Sequence, residues 1–226
     1  MLNFLENHDE QRFASEQYAG DASRVTPSLI VSAMMSSGPF MLYAGQELGE
    51  KAADAEGYSG LDGRTTIFDY WSIPTLRRWL NRGTCDGHLS DEEQSLRALY
   101  ARVLYLCNAE KALREGSLFD LMYVNYENEH LNPHRHFAFV RSAGDELIVI
   151  AVNFSDVDAK VKVNVPAHAC ECLGVNPGSA MFTDLLTGQR ARKFFSPDEP
   201  FATHINAHGA VVWKCKKSSL KSHTNQ

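Results

Sequence analysis

The sequence contains no apolar run that approaches the ~18 residues of a membrane-spanning helix. Its first twelve residues have neither the basic start nor the apolar centre of a signal peptide. Basic residues are outnumbered, with 22 Lys and Arg against 28 Asp and Glu in 226 residues, which gives a formal net charge of −6. Such a chain has no broad basic field to attract phosphate backbones or anionic lipid. We therefore expect no membrane and no nucleic acid among its partners.

Cysteine is scarce, and the five cysteines have no regular spacing. An odd, irregular set argues against a disulfide framework and fits a reducing compartment, which favours a cytoplasmic location. Gly-rich phosphate loops, nucleophile elbows and calcium-binding loops are also missing from the sequence. The sequence therefore indicates no cofactor.

The pattern of elements changes near residue 110 and divides the chain into two predicted domains. Residues 1–110 alternate strand-like and helix-like segments: strands at 2–5 and 40–43, both buried, enclose a helix that Thr26 caps and Gly38-Pro39 ends. A second helix begins at a capping box, Ser90 with Glu93, and carries apolar residues at helical spacing. A long connection without clear periodicity lies between them.

Residues 111–217 are predicted to form an antiparallel β-sandwich, followed by a polar tail at 218–226. Turn-forming residues bound the short strand-like runs at 118–124, 136–141, 147–152, 161–165 and 210–213. The fold class is therefore α/β plus all-β. The predicted sandwich core consists of Phe119, Phe137, Phe139, Ile148, Ile150, Val152, Val211 and Trp213.

Two polar segments follow the first two strands directly. Asn7-His8-Asp9 comes after the first strand, and Gln46-Glu47 comes after the second. A strand, a helix and a second buried strand imply a parallel pair, so both segments lie at the same rim, where α/β folds bind ligands. The alternative for the first cluster is structural, because Asn and Asp after a strand often bind the backbone of a turn.

Taken together, the two segments resemble the α-amylase family of glycoside hydrolases. The resemblance rests on residues 4–12, FLENHDEQR, on residues 43–49, YAGQELG, and on the strand end VNFS at 152–155. In that family an Asn-His-Asp motif follows the seventh strand of a TIM barrel and a Gly-Gln-Glu motif follows the eighth. An antiparallel sandwich comes next. The resemblance covers most of the chain and implies the C-terminal part of a (β/α)8 barrel followed by that sandwich.

The resemblance also implies roles for the residues at the rim. Asp9 matches the carboxylate that stabilises the transition state by engaging sugar hydroxyls, and His8 matches a neighbouring hydroxyl ligand. Asn7 and Arg12 are assigned to substrate binding; orienting the loop and lying on the surface are the two alternatives for Arg12. Gln46 and Glu47 are predicted to support the rim from behind.

The family's nucleophilic Asp and general-acid Glu belong to its fourth and fifth strands, which this sequence does not show. The substitutes within the chain, Asp62-Gly63-Arg64 and Asp69, follow no convincing strand. The implied activity is retaining cleavage of α-1,4-linked glucans or maltooligosaccharides, and we expect this chain alone to be inactive and to self-associate through its incomplete barrel. The alternatives are a non-catalytic carbohydrate-binding or scaffold fragment and part of a transglycosylating or isomerising relative.

Other chemistry-bearing residues have a structural interpretation that we prefer. Phe68, Tyr70 and Trp71 could stack on sugars, but packing under the long connection is the safer interpretation. His168, Cys170 and Cys172 lack a second ligand pair for zinc, which favours a sandwich loop over a metal site. We also expect His134 and His136 on a strand surface.

Overall fold

The computed structural model describes residues 1–53, 62–65, 67, 73–81 and 87–222. The chain divides into two compact units, the first comprising Met1–Ala33 and Gly38–Leu104 and the second Met34–Ser37 and Tyr105–Gln226. The predicted division of the chain into domains 1–110 and 111–217 stays a prediction. Within the described residues, no helix is long and apolar enough to cross a membrane.

The first unit contains a parallel strand pair joined by a helix, as the sequence predicts. Strand β1 is Asn3–Phe4, helix α1 is Thr26–Met34 and strand β2 is Phe40–Met41. The strands pair in parallel, with Asn3 opposite Phe40 and Phe4 opposite Met41. Helix α2, Pro74–Leu80, and helix α3, Asp91–Ala109, follow.

The two strands are shorter and more exposed than predicted. Phe4 is 42% exposed, and Leu2 and Leu42 beside the strands are 49% and 37% exposed. Each strand pairs only with the other in the described part of the chain, so no further strand covers its second edge. The prediction of buried strands is therefore wrong for this chain.

Helix α1 begins through a different cap from the predicted one. A 3-10 turn at Ala22–Val25 leads into the helix, and Asp21 caps that turn by accepting a hydrogen bond from the Ser23 amide. The predicted apolar face is confirmed, because Leu29, Ile30, Ala33 and Met34 are all buried. The cap at Thr26 is wrong because the chain already turns helically before it.

Helix α3 begins at the predicted capping box. The Ser90 amide donates to the Glu93 carboxylate at 2.9 Å, and the Glu93 amide donates to the Ser90 hydroxyl at 3.2 Å. These reciprocal bonds satisfy two amides that the first turn of a helix leaves without partners. The buried side of this 19-residue helix carries Tyr100, Val103 and Leu106.

The second unit is built from two antiparallel sheets and two short helices. The larger sheet has the order β3-β4-β5-β10-β7-β8, and the smaller one pairs β6 with β9. The elements are α4 Lys111–Glu115, β3 Ser117–Asp120, β4 His136–Ala143, β5 Glu146–Asn153, β6 Ala159–Val163, α5 Ala167–Leu173, β7 Gly178–Asp184, β8 Arg190–Phe195, β9 Phe201–Ile205 and β10 Ala210–Lys216.

A continuous hydrophobic core joins the two sheets and α5. It includes Val149 of β5, Phe182 of β7, Phe201 of β9 and Trp213 of β10. Because side chains alternate along a strand, Phe139, Ile148 and Ile150 are buried on the opposite face of the larger sheet. The predicted core residues thus divide between two faces, and Phe119 and Phe137 are only partly buried.

Some predicted strands differ from the structure. The run 118–124 is a strand only as far as Asp120, and a 3-10 turn occupies Met122–Val124. Strands β7, β8 and β9 were not predicted, because Gly, Ser, Ala and basic residues dilute their apolar pattern. The segment with His168 and Cys172 is helix α5, which corrects the predicted loop.

A buried arginine organises one end of the second unit. Arg141 is 1% exposed and donates to the carbonyls of Ala112, Leu113 and Gly116. It also donates to the Met35 carbonyl and the Ser37 hydroxyl. Five acceptors therefore satisfy the desolvated guanidinium and hold the 34–37 segment within this unit.

Candidate active site

The predicted rim lies in the first unit, at the carboxyl ends of β1 and β2. Because the two strands are parallel, the loop that begins at Glu6 and the turn at Gln46–Leu48 leave the sheet at the same end. The two polar segments therefore lie at one rim of the sheet, as the parallel pairing of their strands predicts.

The Asn7-His8-Asp9 cluster forms a tight turn with an exposed carboxylate. The Asn7 side-chain oxygen accepts hydrogen bonds from the amides of Asp9 at 2.7 Å and Glu10 at 3.0 Å. The Asp9 side chain is 76% exposed, and its Oδ2 lies 3.4 Å from Nε2 of His8. Asn7 therefore shapes the turn in the way the structural alternative describes, while Asp9 and His8 face outward.

Arg12 is wholly buried, so the surface-arginine alternative is wrong. Its Nη1 donates to the Glu6 carboxylate at 2.9 Å, and its Nη2 donates to the Ala44 carbonyl at 2.7 Å. The guanidinium also lies 4.3 Å from the centre of the Tyr43 ring. One side chain thus ties the base of the Asp9 loop to the end of the second strand.

The partner of Arg12 is a buried carboxylate that sequence reasoning missed. Glu6 is 2% exposed, and its second oxygen accepts a hydrogen bond from the Phe13 amide at 2.9 Å. Burial raises the pKa of Glu6, while Arg12 and the Phe13 amide oppose that rise. Glu6 and Phe13 lie at the two ends of the loop. The Glu6 carboxylate, through its bonds to Arg12 and to the Phe13 amide, therefore holds these ends together.

Gln46 supports the second segment from behind. Its side-chain oxygen accepts from the Tyr43 amide at 3.1 Å, and its nitrogen donates to the Tyr100 hydroxyl of α3 at 3.1 Å. The neighbouring Glu47 is half-buried, and its Oε2 has no hydrogen-bond partner among the described residues. A further carboxylate, Glu50, accepts from the Thr75 hydroxyl at 2.5 Å.

A third segment, residues 62–65, packs against the loop. The Arg12 amide donates to the Gly63 carbonyl at 2.6 Å, and the Tyr43 hydroxyl donates to the Thr65 carbonyl at 2.9 Å. Gly63 has φ +81°, and an added Cβ would lie 2.8 Å from the Ser15 hydroxyl, so glycine suits this close approach. The sequence offered no signal for this long-range contact.

Arg64 brings positive charge to the same rim. It forms an ion pair with Asp62, with 2.5 Å between Nη2 and Oδ2. This hydrogen bond raises the pKa of Arg64, and the charges of Asp9 and Glu10 raise it further. Asp62 and Arg64 thus lie near Asp9, whereas Asp69 and the aromatic residues 68, 70 and 71 fall outside the described residues.

The rim combines an exposed carboxylate, an imidazole and a cation on a backbone fixed by buried polar groups. An ionised carboxylate accepts hydrogen bonds from sugar hydroxyls, and the hydrogen bonds of Asn7 hold the backbone that carries Asp9. These groups can orient a polyhydroxylated ligand, and the Asp9 carboxylate can stabilise positive charge that develops on it.

Comparison with known proteins tests the fold directly. No protein-family model matches the sequence, and no curated protein matches it. Among solved structures, AmyP in complex with maltose matches 99% of this chain and 42% of its own chain, with a TM-score of 0.66 and 17% identity. The chain has the fold of the C-terminal part of α-amylase-type glycosidases.

Two further solved structures share this amylase-type fold. The α-amylase of Geobacillus thermoleovorans complexed with acarbose has a TM-score of 0.59 and 19% identity over 99% of this chain and 39% of its own. A trehalulose synthase mutant has a TM-score of 0.55 and 16% identity over 94% of this chain and 43% of its own. The chain thus spans about two-fifths of each of these three structures. Identities this low support the fold and not a particular reaction.

The remaining candidate residues lie in the second unit. His168 and Cys172 are one helical turn apart on α5, with 3.3 Å between Nε2 and Sγ. Across the described ranges, no group of three or more His, Cys, Asp or Glu could hold a metal ion. His134 is exposed, whereas His136 is half-buried and its Nδ1 accepts from the Asn132 amide, which corrects the expected surface position of His136.

Proposed function

We propose that this chain supplies the last two strand–helix units of a catalytic barrel and the following β domain of a retaining glycoside hydrolase. Its substrates are α-1,4-linked glucans and maltooligosaccharides. The observation that carries the proposal is the parallel pair β1 and β2, whose carboxyl ends present Asp9 and the Gln46 turn within an amylase-type fold. Maltose and acarbose bound to two of the matching enzymes support a glucan ligand.

In the proposed mechanism Asp9 is neither the nucleophile nor the acid. Retaining hydrolysis passes through an oxocarbenium-like transition state, in which hydrogen bonds to the ring hydroxyls strengthen. Asp9 accepts those bonds, and His8 binds a neighbouring hydroxyl. The nucleophile and the general acid, ~5 Å apart, come from other strands of the enzyme.

Asn7 and Arg12 serve this mechanism indirectly. The Asn7 oxygen is committed to the turn amides, and the Arg12 guanidinium is enclosed by Glu6, Tyr43 and Ala44. We therefore assign both residues to positioning Asp9 rather than to direct sugar contact. Gln46 likewise positions the turn at Gln46–Leu48, because its side-chain nitrogen donates to the Tyr100 hydroxyl.

A transglycosylating or isomerising enzyme is the second candidate. A trehalulose synthase shares this fold, and because one fold hosts both outcomes the fold is compatible with either reaction. Product analysis of the active enzyme on maltose separates the two candidates. Glucose alone indicates hydrolysis, a trisaccharide formed together with glucose indicates transfer, and a new disaccharide indicates isomerisation or transfer to glucose.

The chain itself tests the rim. We expect acarbose, titrated into the labelled protein, to shift the NMR signals of residues 7–9, and Asp9→Asn to weaken that binding. Asp91→Asn, an exposed change elsewhere in the same unit, serves as the matched control. Equal binding by the wild type and Asp9→Asn would remove Asp9 from the proposed site.

Turnover by the purified chain is expected to be absent, because nucleophile and acid are not supplied. An overnight reducing-sugar assay on starch, with Asp9→Ala to reveal contaminating amylase, measures this. Turnover that disappears in the Asp9→Ala protein would show that the chain holds both missing groups.

A further inference from the structure

A basic groove lies on the larger sheet of the second unit, away from the core that the sheet shares with β6 and β9. Its volume is about 680 Å³, within the range of small-ligand pockets. Strands β7, β8 and β10 and the segment after β10 form it. The lining residues that concern its chemistry are Ser179, Thr183, Arg190, Arg192, Lys216 and Lys221, and the ion pair of Glu110 with Lys214 lines the groove beside them.

The strand register places the cations on one face. Thr183 of β7 lies between Lys214 of β10 and Arg190 of β8, and Met181 lies opposite Arg192. Directly paired residues project to the same side of a sheet, as do residues two apart on a strand. Arg190 and Arg192 therefore form one wall, about 10 Å from Lys214 across two strand spacings.

The opposite wall receives another lysine from the end of the chain. Lys221 pairs antiparallel with Ser179 of β7, through two backbone hydrogen bonds of 3.0 Å. This bridge places Lys221 on the same face as Ser179, and therefore on the same face as Thr183. The floor between the walls carries the hydroxyls of Ser179 and Thr183.

Carboxylates of the protein act on two of the five cations, since Lys214 has ion pairs and Lys216 interacts electrostatically with Asp145. Lys214 is paired with Glu110 and with Glu146, the latter at 2.9 Å. Among the described residues, no carboxylate forms an ion pair with Arg190, Arg192, Lys216 or Lys221; Arg192 donates only to the Ser179 hydroxyl, at 3.3 Å. Four cations without ion pairs share one groove in a chain whose net charge is −6.

We infer that this groove binds phosphate monoesters carried on carbohydrate, such as the phosphate groups of a phosphorylated glucan. Arginine presents paired donors that match phosphate oxygens, and the serine and threonine hydroxyls add further donors. The anionic part of the ligand is argued from the groove alone, whereas its carbohydrate part rests on the proposed function.

Nucleic acid fits this groove less well. Proteins that hold single strands stack bases on aromatic side chains, and no aromatic side chain lines the described groove. Duplex binding needs a broad basic surface, which a net charge of −6 opposes. A phosphate group on an otherwise neutral glucan needs only a small basic site. Such a site is compatible with a protein whose net charge is −6.

The test measures the affinity of the purified chain for phosphate-rich amylopectin and for the same polymer after phosphatase treatment. We expect about tenfold tighter binding of the phosphorylated polymer at low ionic strength, because charge-assisted bonds to phosphate are strong and salt-sensitive. Arg190→Gln with Arg192→Gln should abolish the difference. Lys216→Gln with Lys221→Gln tests the opposite wall and should also reduce it.

The matched control is Lys160→Gln with Lys162→Gln, which removes the same charge from exposed positions of β6. This protein should keep the full difference. Equal affinity for the two polymers, an equal loss in the control, or tighter binding of a thymidine oligonucleotide than of the phosphorylated polymer would each overturn the inference. Asp9→Asn should keep the phosphate-dependent difference, so failure at the rim and failure at the groove are distinguishable.

Discussion

Replacing Arg12 with Met tests whether a buried ion pair holds the Asp9 loop. Methionine fills much of the same space but removes the cation, so among the described residues Glu6 keeps a single donor, the Phe13 amide. The change also removes the 2.7 Å bond to the Ala44 carbonyl and the guanidinium over the Tyr43 ring.

The expected cost follows from the burial of both partners. Arg12 and Glu6 have side-chain exposures of 0% and 3%, so solvent cannot replace the lost partner. Breaking such a pair on one side costs about 3–5 kcal/mol. A double replacement, Glu6→Gln with Arg12→Met, should cost less than the sum of the single changes, because it leaves no isolated buried charge.

The cost of Arg12→Met should depend on pH. Burial already raises the pKa of Glu6 above its ordinary value of 4.5, and loss of Arg12 raises it further. A carboxyl group whose folded pKa is raised stabilises the fold below its unfolded pKa and loses that contribution as the pH rises through the folded value. The stability deficit of the variant should therefore be smallest below pH 4.5 and grow as the pH rises, while the part due to the lost Ala44 and Tyr43 contacts remains at every pH.

Hydrogen exchange of the Phe13 amide, read with urea unfolding of the first unit, measures the effect locally. Arg77→Met, at an exposed position of α2, is the control and should change stability by less than about 0.5 kcal/mol. A loss below about 1 kcal/mol for Arg12→Met at neutral pH, or no change in Phe13 protection, would refute the reasoning.

Two further changes test other parts of the fold. Arg141→Met should destabilise the second unit by about 3 kcal/mol or more, because five acceptors lose their donor. Unfolding in urea, followed by Trp213 fluorescence, measures this loss. The same change at the exposed Arg135 should have little effect. Ser90→Ala should lower the free energy of unfolding by about 1 kcal/mol, because it removes the capping box of α3. The thermal midpoint should fall accordingly. An unchanged midpoint would show that the capping box does not stabilise the protein.

The sequence predicted correctly those elements that are determined by residues close together in the chain. The capping box of α3, the apolar face of α1 and the order strand, helix, strand all depend on residues a few positions apart. The strands β4, β5 and β10 were found because continuous β-branched and aromatic runs mark them.

Features that depend on distant partners could not be predicted in the same way. An arginine is usually a surface residue, and only its contacts with Glu6 and Ala44 in the folded structure show that Arg12 is buried. The contact of residues 63 and 65 with the rim joins segments of unrelated pattern. The exposure of Phe4 depends on which strands are present beside it, and no local pattern reports that.

Turnover by Asp9→Asn tests the central claim most directly. The measurement is kcat and KM on maltoheptaose, in an enzyme that combines this chain with strands supplying the nucleophile and the acid. Loss of a transition-state contact should lower kcat by roughly 100-fold or more with little change in folding stability, and the exposed control Asp91→Asn should leave kcat unchanged. Unchanged kcat for Asp9→Asn would contradict the assignment of Asp9 to the catalytic rim.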